Sequence, residues 1–202
     1  MRSKLYIFLV LLVIGCTNSE NSRIDLERLK VVEELLTDDI NNNKIPGAVV
    51  LVGNEKGIVY QKAFGVKNPS TNEKYAIDDI FRIASMTKAL TSSAFLLLAE
   101  KENLSLDTPV ESILDEFKNL KVANLENDKI YYESPNSKIT FHQLLTHTSG
   151  FGYDFHHQTL SHLLLQGEIA DLLDKEGKFL NAPLIEQPGT YWHYGIGIGW
   201  LG

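Results

Sequence analysis

Residues Phe81–Leu90 read FRIASMTKAL. A serine and a lysine, Ser85 and Lys88, stand three positions apart in an otherwise apolar stretch. With 13 serines and 15 lysines in 202 residues, about one S-x-x-K arises by chance. Spacing alone therefore leaves two readings open: a helix N-cap beside a solvated lysine, or a nucleophile beside its base. The helix signal begins near Ser85, which places its hydroxyl at the positive end of the helix dipole and Lys88 on the same face one turn on. A serine hydroxyl is a poor nucleophile near neutral pH, and a neutral amine beside it accepts its proton. Burial under an apolar lid depresses a lysine pKa and makes that amine available.

Outward from this stretch the pattern is mostly helical. Ser85–Leu104 places Leu90, Ala94, Leu97 and Leu98 at helical spacing. LDTPVESIL (106–114) predicts a short helical piece, with Asp107 as cap and Pro109 just inside it. Thr140 and Gln143 have the spacing of a capping box, and Ser161–Gly177 predicts a helix ending on Gly177. Upstream, Ile24–Ile40 aligns Leu29, Val32, Leu35, Leu36 and Ile40 on one helical face, and NNNKIPG (41–47) stops that helix. AVVLV (48–52) and IVYQKAF (58–64), separated by GNEKG, predict a β-hairpin. The first of these strands is apolar throughout, as in a sheet covered on both faces. Two strands are marginal alone, so further strands are expected beyond residue 202. No internal repeat is present.

The first residues form a separate segment. Arg2 and Lys4 precede an unbroken apolar run, Leu5–Ile14, too short to span a bilayer and suited to a secretory signal. Val13-Ile14-Gly15-Cys16 resembles a bacterial lipobox, which predicts removal of residues 1–15, lipidation of Cys16, a polar tether over 16–23 and anchoring at the cell envelope. Cys16 is the only cysteine, so no intrachain disulfide is available. A net charge of −7 argues against a nucleic-acid partner.

Four motifs bear on function together: FRIASMTKAL, LSLDTPV (104–110), LLTHTSGF (144–151) and PGTYWHY (188–194). In order and approximate spacing they resemble the serine β-lactamase-like family of class C β-lactamases, DD-peptidases, esterases and acyltransferases, over roughly Lys44–Gly202. The resemblance implies an α+β fold of the β-lactamase/transpeptidase type, an antiparallel sheet flanked by helices plus an all-helical subdomain. Residues 24–75 would supply the first part of the sheet domain and residues 76–202 the mostly helical part carrying the motifs. It implies Ser85 as the acylated nucleophile, Lys88 as a base that helps to deprotonate it, and Tyr194 as the phenol that shuttles a proton. Tyr194 can do so only if a neighbouring cation stabilises its phenolate, and Lys88 is that cation. LLTHTSGF is expected to be a turn that braces the site, with His147 outside the chemistry.

Two departures shape the expected activity. Ile196 occupies the substrate-binding place of the family's Tyr-x-Asn asparagine and cannot make its hydrogen bond, which favours the Tyr-Ser-Leu type of element found in esterases and acyltransferases. The third family motif, Lys-Thr-Gly or His-x-Gly, would fall beyond residue 202. The expected function is an exported serine hydrolase acting on small acyl substrates. A β-lactamase or DD-peptidase and a non-catalytic envelope lipoprotein are the alternatives. His156-His157 beside Asp154 lacks metal-ligand spacing, and neither a metal nor another cofactor is expected. No G-x-S-x-G elbow is present.

Overall fold

The computed structural model describes residues 25–202; the expected signal segment, Cys16 and the tether lie outside them. The chain divides into two compact units between Phe81 and Arg82.

In the first unit, helix α1 (Leu26–Asn41) starts on Asp25, whose carboxylate accepts the Glu27 N–H at 3.0 Å. That bond satisfies one of the free donors of the first turn. Strands β1 (Gly47–Asn54) and β2 (Gly57–Asn68) form the expected antiparallel hairpin, from Gly47 opposite Gly65 to Asn54 opposite Gly57, with the register shifting by one residue between Val52 and Gly53. A two-residue strand, β3 (Glu73–Lys74), extends the sheet in the order β1-β2-β3. The half-buried face of α1 carries Leu29, Val32, Leu36 and Ile40, but Leu35 is exposed and Glu33 takes part instead. The reason is polar: Glu33 accepts from Tyr60 at 2.9 Å and pairs with Lys62, both on β2. The expected cover over both faces of β1 is not present within this unit, where Leu51 is 56% exposed.

The second unit contains every fully buried apolar side chain among the described residues. Helix α2 (Thr87–Lys101) buries Phe95 and Ala99 and leaves Leu90, Leu97 and Leu98 exposed. Its expected start at Ser85 is instead a 3-10 turn, Ala84–Met86. The LDTPVESIL piece is likewise a single 3-10 turn, Val110–Ser112, entered from Pro109 rather than capped by Asp107. A hairpin that the sequence reading passed over as helical follows, β4 (Val122–Glu126) and β5 (Lys129–Glu133). Asn127 and Asp128 between them have φ of 49° and 59°, the pair of left-handed residues that a tight hairpin turn demands.

Helix α3 (Phe141–Leu145) carries the capping box in full: Gln143 N–H donates to Thr140 Oγ1 and Thr140 N–H to Gln143 Oε1. Helix α4 (Gln158–Leu165) is shorter than the expected Ser161–Gly177 element. Gly167, at φ 74°, ends it with a reverse turn in which Glu168 N–H reaches the Leu163 carbonyl at 2.9 Å. Gly177 is also left-handed, but it precedes a 3-10 turn, Lys178–Asn181, instead of closing α4.

The core of this unit joins these pieces. Val110, Leu144, Phe151, Leu160, Leu163 and Leu184 are fully buried or nearly so, each contributing about 1.5–3 kcal/mol by leaving water. Irregular segments are tied in by backbone bonds. Ala123 N–H donates to the Leu184 carbonyl at 2.8 Å, and Ile185 N–H donates to that of Gly150 at 2.8 Å. Leu184 and Ile185 are thereby fixed between β4 and the turn at residues 147–153.

Candidate active site

Ser85 sits in the 3-10 turn directly ahead of α2, exposed at its surface. Ala84 before it has φ of 43°, a left-handed conformation that disfavours a side chain and stores backbone strain of about 1–3 kcal/mol. Lys88 lies in the first turn of α2, so the 3-10 to α junction keeps the two side chains adjacent. The Lys88 ammonium points to Ser85 Oγ at 3.5 Å and donates to the Tyr153 hydroxyl at 2.8 Å. It also lies 4.9 Å from the centre of the Tyr194 ring. Ser85, Lys88 and Tyr194 therefore converge, and Tyr153 joins them.

Tyr194 is positioned from below by His147. That residue occupies a left-handed turn at φ 59°. Its carbonyl accepts the His193 N–H at 2.9 Å, its Nδ1 accepts the Gly195 N–H at 3.3 Å, and its ring stands 4.7 Å from that of Tyr194. The two residues flanking Tyr194 are both anchored to one histidine. At Gly195 an added Cβ would come within 2.5 Å of the Phe151 carbonyl oxygen, so the backbone passes there only as glycine.

The electrostatics differ from expectation in one respect. Burial does push Lys88 down, but the hydroxyls of Tyr153 and Tyr194 outweigh it, and the lysine titrates above its ordinary value. Two phenol oxygens face the amine and favour its charged form, where burial alone would favour the neutral one. Tyr194 moves the other way: interaction with the Ser85 hydroxyl, and then the Lys88 hydrogen bond and charge, hold it below the usual tyrosine value against the effect of burial. His147 is kept below the ordinary histidine value, by burial first and the Lys88 charge second. Its Nδ1 thus stays free to accept.

Residues 31–202 match the family described as Beta-lactamase. The chain belongs to the Beta-lactamase family. An acyltransferase, mokF, of Monascus pilosus is 30% identical over 94% of this chain and 48% of its own length. A lovastatin esterase of Penicillium rubens is 34% identical over 81% of this chain and 43% of its own. Among solved structures, a variant of the simvastatin synthase LovD from Aspergillus terreus superposes with a TM-score of 0.74 at 28% identity, over 90% of this chain and 45% of that one. The fold is accordingly of the β-lactamase/transpeptidase type, with an incomplete sheet. The chain spans about half the length of the relatives it matches.

Within this Beta-lactamase family frame, Ile196 is buried, 5% exposed, and contributes to the core. It also lines a hollow of about 180 Å³ beside Lys88, together with Tyr153, Phe179 and Ile198. Tyr153 is the participant the sequence reading missed. Its signal was available: it lies two residues beyond the LLTHTSGF motif, in a Gly-Phe-Gly-Tyr run whose glycines allow close backbone approach. Among the described residues no three His, Cys, Asp or Glu side chains are grouped to hold a metal ion.

Proposed function

We propose that the full-length protein is an exported, lipid-anchored serine hydrolase or acyltransferase that forms an acyl-enzyme at Ser85 from small esters. The meeting of one ammonium with Ser85 Oγ, the Tyr153 hydroxyl and the Tyr194 ring carries this reading. The esterase and acyltransferase relatives support it.

The directions of these shifts support the following roles. Tyr194, stabilised as a phenolate by the Lys88 cation, accepts the Ser85 proton; Lys88 acts by its charge more than by taking that proton. The Ser85 Oγ–acyl carbon bond forms, the ester C–O bond breaks, and the departing oxygen takes the proton from Tyr194. In the second half, water or an alcohol gives its proton to Tyr194 and attacks the acyl carbon. The Oγ–acyl bond then breaks and Ser85 recovers a proton through the same phenol. Water yields hydrolysis; an alcohol yields acyl transfer. Ile196, apolar and buried, offers no amide to hold a β-lactam or peptide side chain, which favours esters over those substrates.

A fluorophosphonate probe on the full-length protein is expected to label Ser85, and Ser85→Ala to abolish both labelling and ester hydrolysis. Ester hydrolysis that persists in the Ser85→Ala protein removes the proposal. Export and anchoring rest on Arg2, Lys4, Leu5–Ile14 and Cys16. Mass spectrometry is expected to find a lipidated Cys16 at the mature N-terminus, and an intact Met1 contradicts it.

A further inference from the structure

The second unit holds another hollow, of about 340 Å³, whose lining includes neither Ser85 nor Lys88. One wall runs from Phe117 to Lys121, at the end of the 3-10 turn Asp115–Asn119. The other runs from Ser134 to Ile139, the segment that follows β5. Backbone groups pin both walls. The Lys121 carbonyl accepts the Leu184 N–H at 2.9 Å, and the Ile139 carbonyl accepts the Val110 N–H at 2.8 Å. Asn136 N–H donates to Gln187 Oε1 at 2.8 Å. The walls are thus held by the protein's own bonds, which spares a ligand the cost of ordering them. The volume lies at the lower end of those that hold small organic ligands.

The lining changes character from depth to rim. Phe117 and Ile139 are buried in the core and give an apolar floor. The rim carries three ammonium groups, Lys118, Lys121 and Lys138, against one carboxylate, Glu111, in a chain whose net charge is −7. Two of these ammoniums are already matched: Lys138 pairs with Glu111 and Lys118 with Asp115, each at 2.6 Å. Lys121 differs. It donates to the neutral Ser134 hydroxyl at 3.2 Å and pairs with no carboxylate among the described residues. That hydroxyl accepts from Lys121 and still has its own proton to give. An ammonium and a hydroxyl proton side by side match a carboxylate, whose two oxygens take one bond each and whose single charge balances the one unmatched lysine. We propose that this hollow binds a small organic monocarboxylate, its charged end on Lys121 and Ser134 and its apolar body against Phe117 and Ile139. The site lies outside the Ser85 group and does not rest on the acyl-enzyme reading.

The test titrates benzoate into the full-length protein by calorimetry, beside benzamide and inorganic phosphate. Benzoate is expected to bind with a dissociation constant on the order of 1 mM. Lys121→Gln removes the charge-assisted bond and is expected to weaken binding about tenfold, while Lys121→Arg retains it. Benzamide has the same shape without the charge and is expected to bind about tenfold more weakly than benzoate. Lys88→Gln should leave benzoate binding unchanged. Circular dichroism checks that the exposed lysine variants fold alike. Absence of benzoate binding, or equal binding in Lys121→Gln, overturns the assignment. Binding that survives Lys121→Gln but is lost in Lys88→Gln overturns it too, by placing the carboxylate at the Ser85 group. Phosphate bound as tightly as benzoate overturns the apolar half of the assignment and leaves only a site for charge.

Discussion

Residues 25–81 and residues 82–202 are built by different means. The first unit consists of one long helix and a long hairpin, regular elements that each satisfy their own backbone bonds, yet none of its side chains among the described residues is fully buried. Its side-chain ties are polar: Glu33 with Lys62 and Tyr60, and Lys67 with Asp79 and Glu73. The second unit combines the 15-residue α2 with short helices, a short hairpin, 3-10 turns and irregular runs, and it holds every buried side chain among the described residues. Burial thus goes with the mixed architecture and not with the all-regular one. The candidate site lies in this second unit, where packing brings Tyr153 and Tyr194 to the Ser85–Lys88 turn from distant parts of the sequence.

The largest test of that contrast is Tyr194→Phe. The ring keeps its place against His147, so stability should hold, while loss of the proton-carrying oxygen should lower kcat by about 10²–10⁴-fold. Steady-state kinetics beside a thermal melt separates the two effects. An equal fall in melting temperature would make Tyr194 a packing residue like those of the core.

Next in size is Leu144→Ala in the second unit, expected to cost about 2–5 kcal/mol by denaturant unfolding. The half-exposed Leu51→Ala in the first unit should cost within about 1 kcal/mol. Comparable costs at the two positions would contradict the division of labour.

The pH dependence sharpens the comparison inside the site. On the proposed mechanism Tyr194 acts as phenolate, and its folded value is depressed, so kcat/KM should be retained below the ordinary tyrosine value near 10 and be lost as pH falls through the lowered one. Lys88 acts as a cation with a raised value, so activity should fall only when pH rises beyond the ordinary lysine range. In Lys88→Gln the acid limb should move upward. An unmoved limb would show that Lys88 does not set the phenol's charge.

A smaller effect is expected at His147. Asparagine tolerates a left-handed backbone and keeps an acceptor for the Gly195 N–H, so His147→Asn should retain most activity. His147→Val loses the acceptor and strains the turn, and should lower kcat by about tenfold, since one lost hydrogen bond and local strain together amount to about 1–2 kcal/mol. Circular dichroism and kcat measured together check that the loss is positional. The smallest effect belongs to Lys67→Ala, whose two ion pairs are partly exposed, so the denaturant midpoint should barely move.

What the sequence discloses follows the same division. The hairpin of β1 and β2 is legible because apolar runs flank a short Gly-bounded turn, and the Thr140–Gln143 capping box because its signal is confined to four residues. The β4–β5 hairpin escapes notice because VANLE and KIYYE alternate weakly and the Asn127-Asp128 turn lacks glycine. The helix expected over Ser161–Gly177 overruns because Ile169, Leu172 and Leu173 prolong the apolar pattern beyond Gly167, the residue that stops it. Leu35 was put on the buried face because the periodicity of apolar residues does not register Glu33, which earns its place through partners on β2. Ser85 and Lys88 are local neighbours, whereas Tyr194 is reached only through the family resemblance. Tyr153 is marked in sequence only by its place beside the LLTHTSGF motif, whereas its bond to Lys88 spans 65 residues and the shift of Lys88 depends on that contact and on Tyr194, which no local pattern encodes.

Tyr153 carries one further consequence. Its ring walls both the 180 Å³ hollow beside Ile196 and a 320 Å³ hollow beside Trp192, while its hydroxyl accepts from Lys88. A smaller side chain there would merge two chambers into one and widen the range of guests, but it would also strip the ammonium of a ligand. On the proposed mechanism, breadth of substrate and command of the proton would thus be tied to a single phenol, and diversification of either chamber would be better made at its outer walls, Phe179 or Trp192, than at the partition they share.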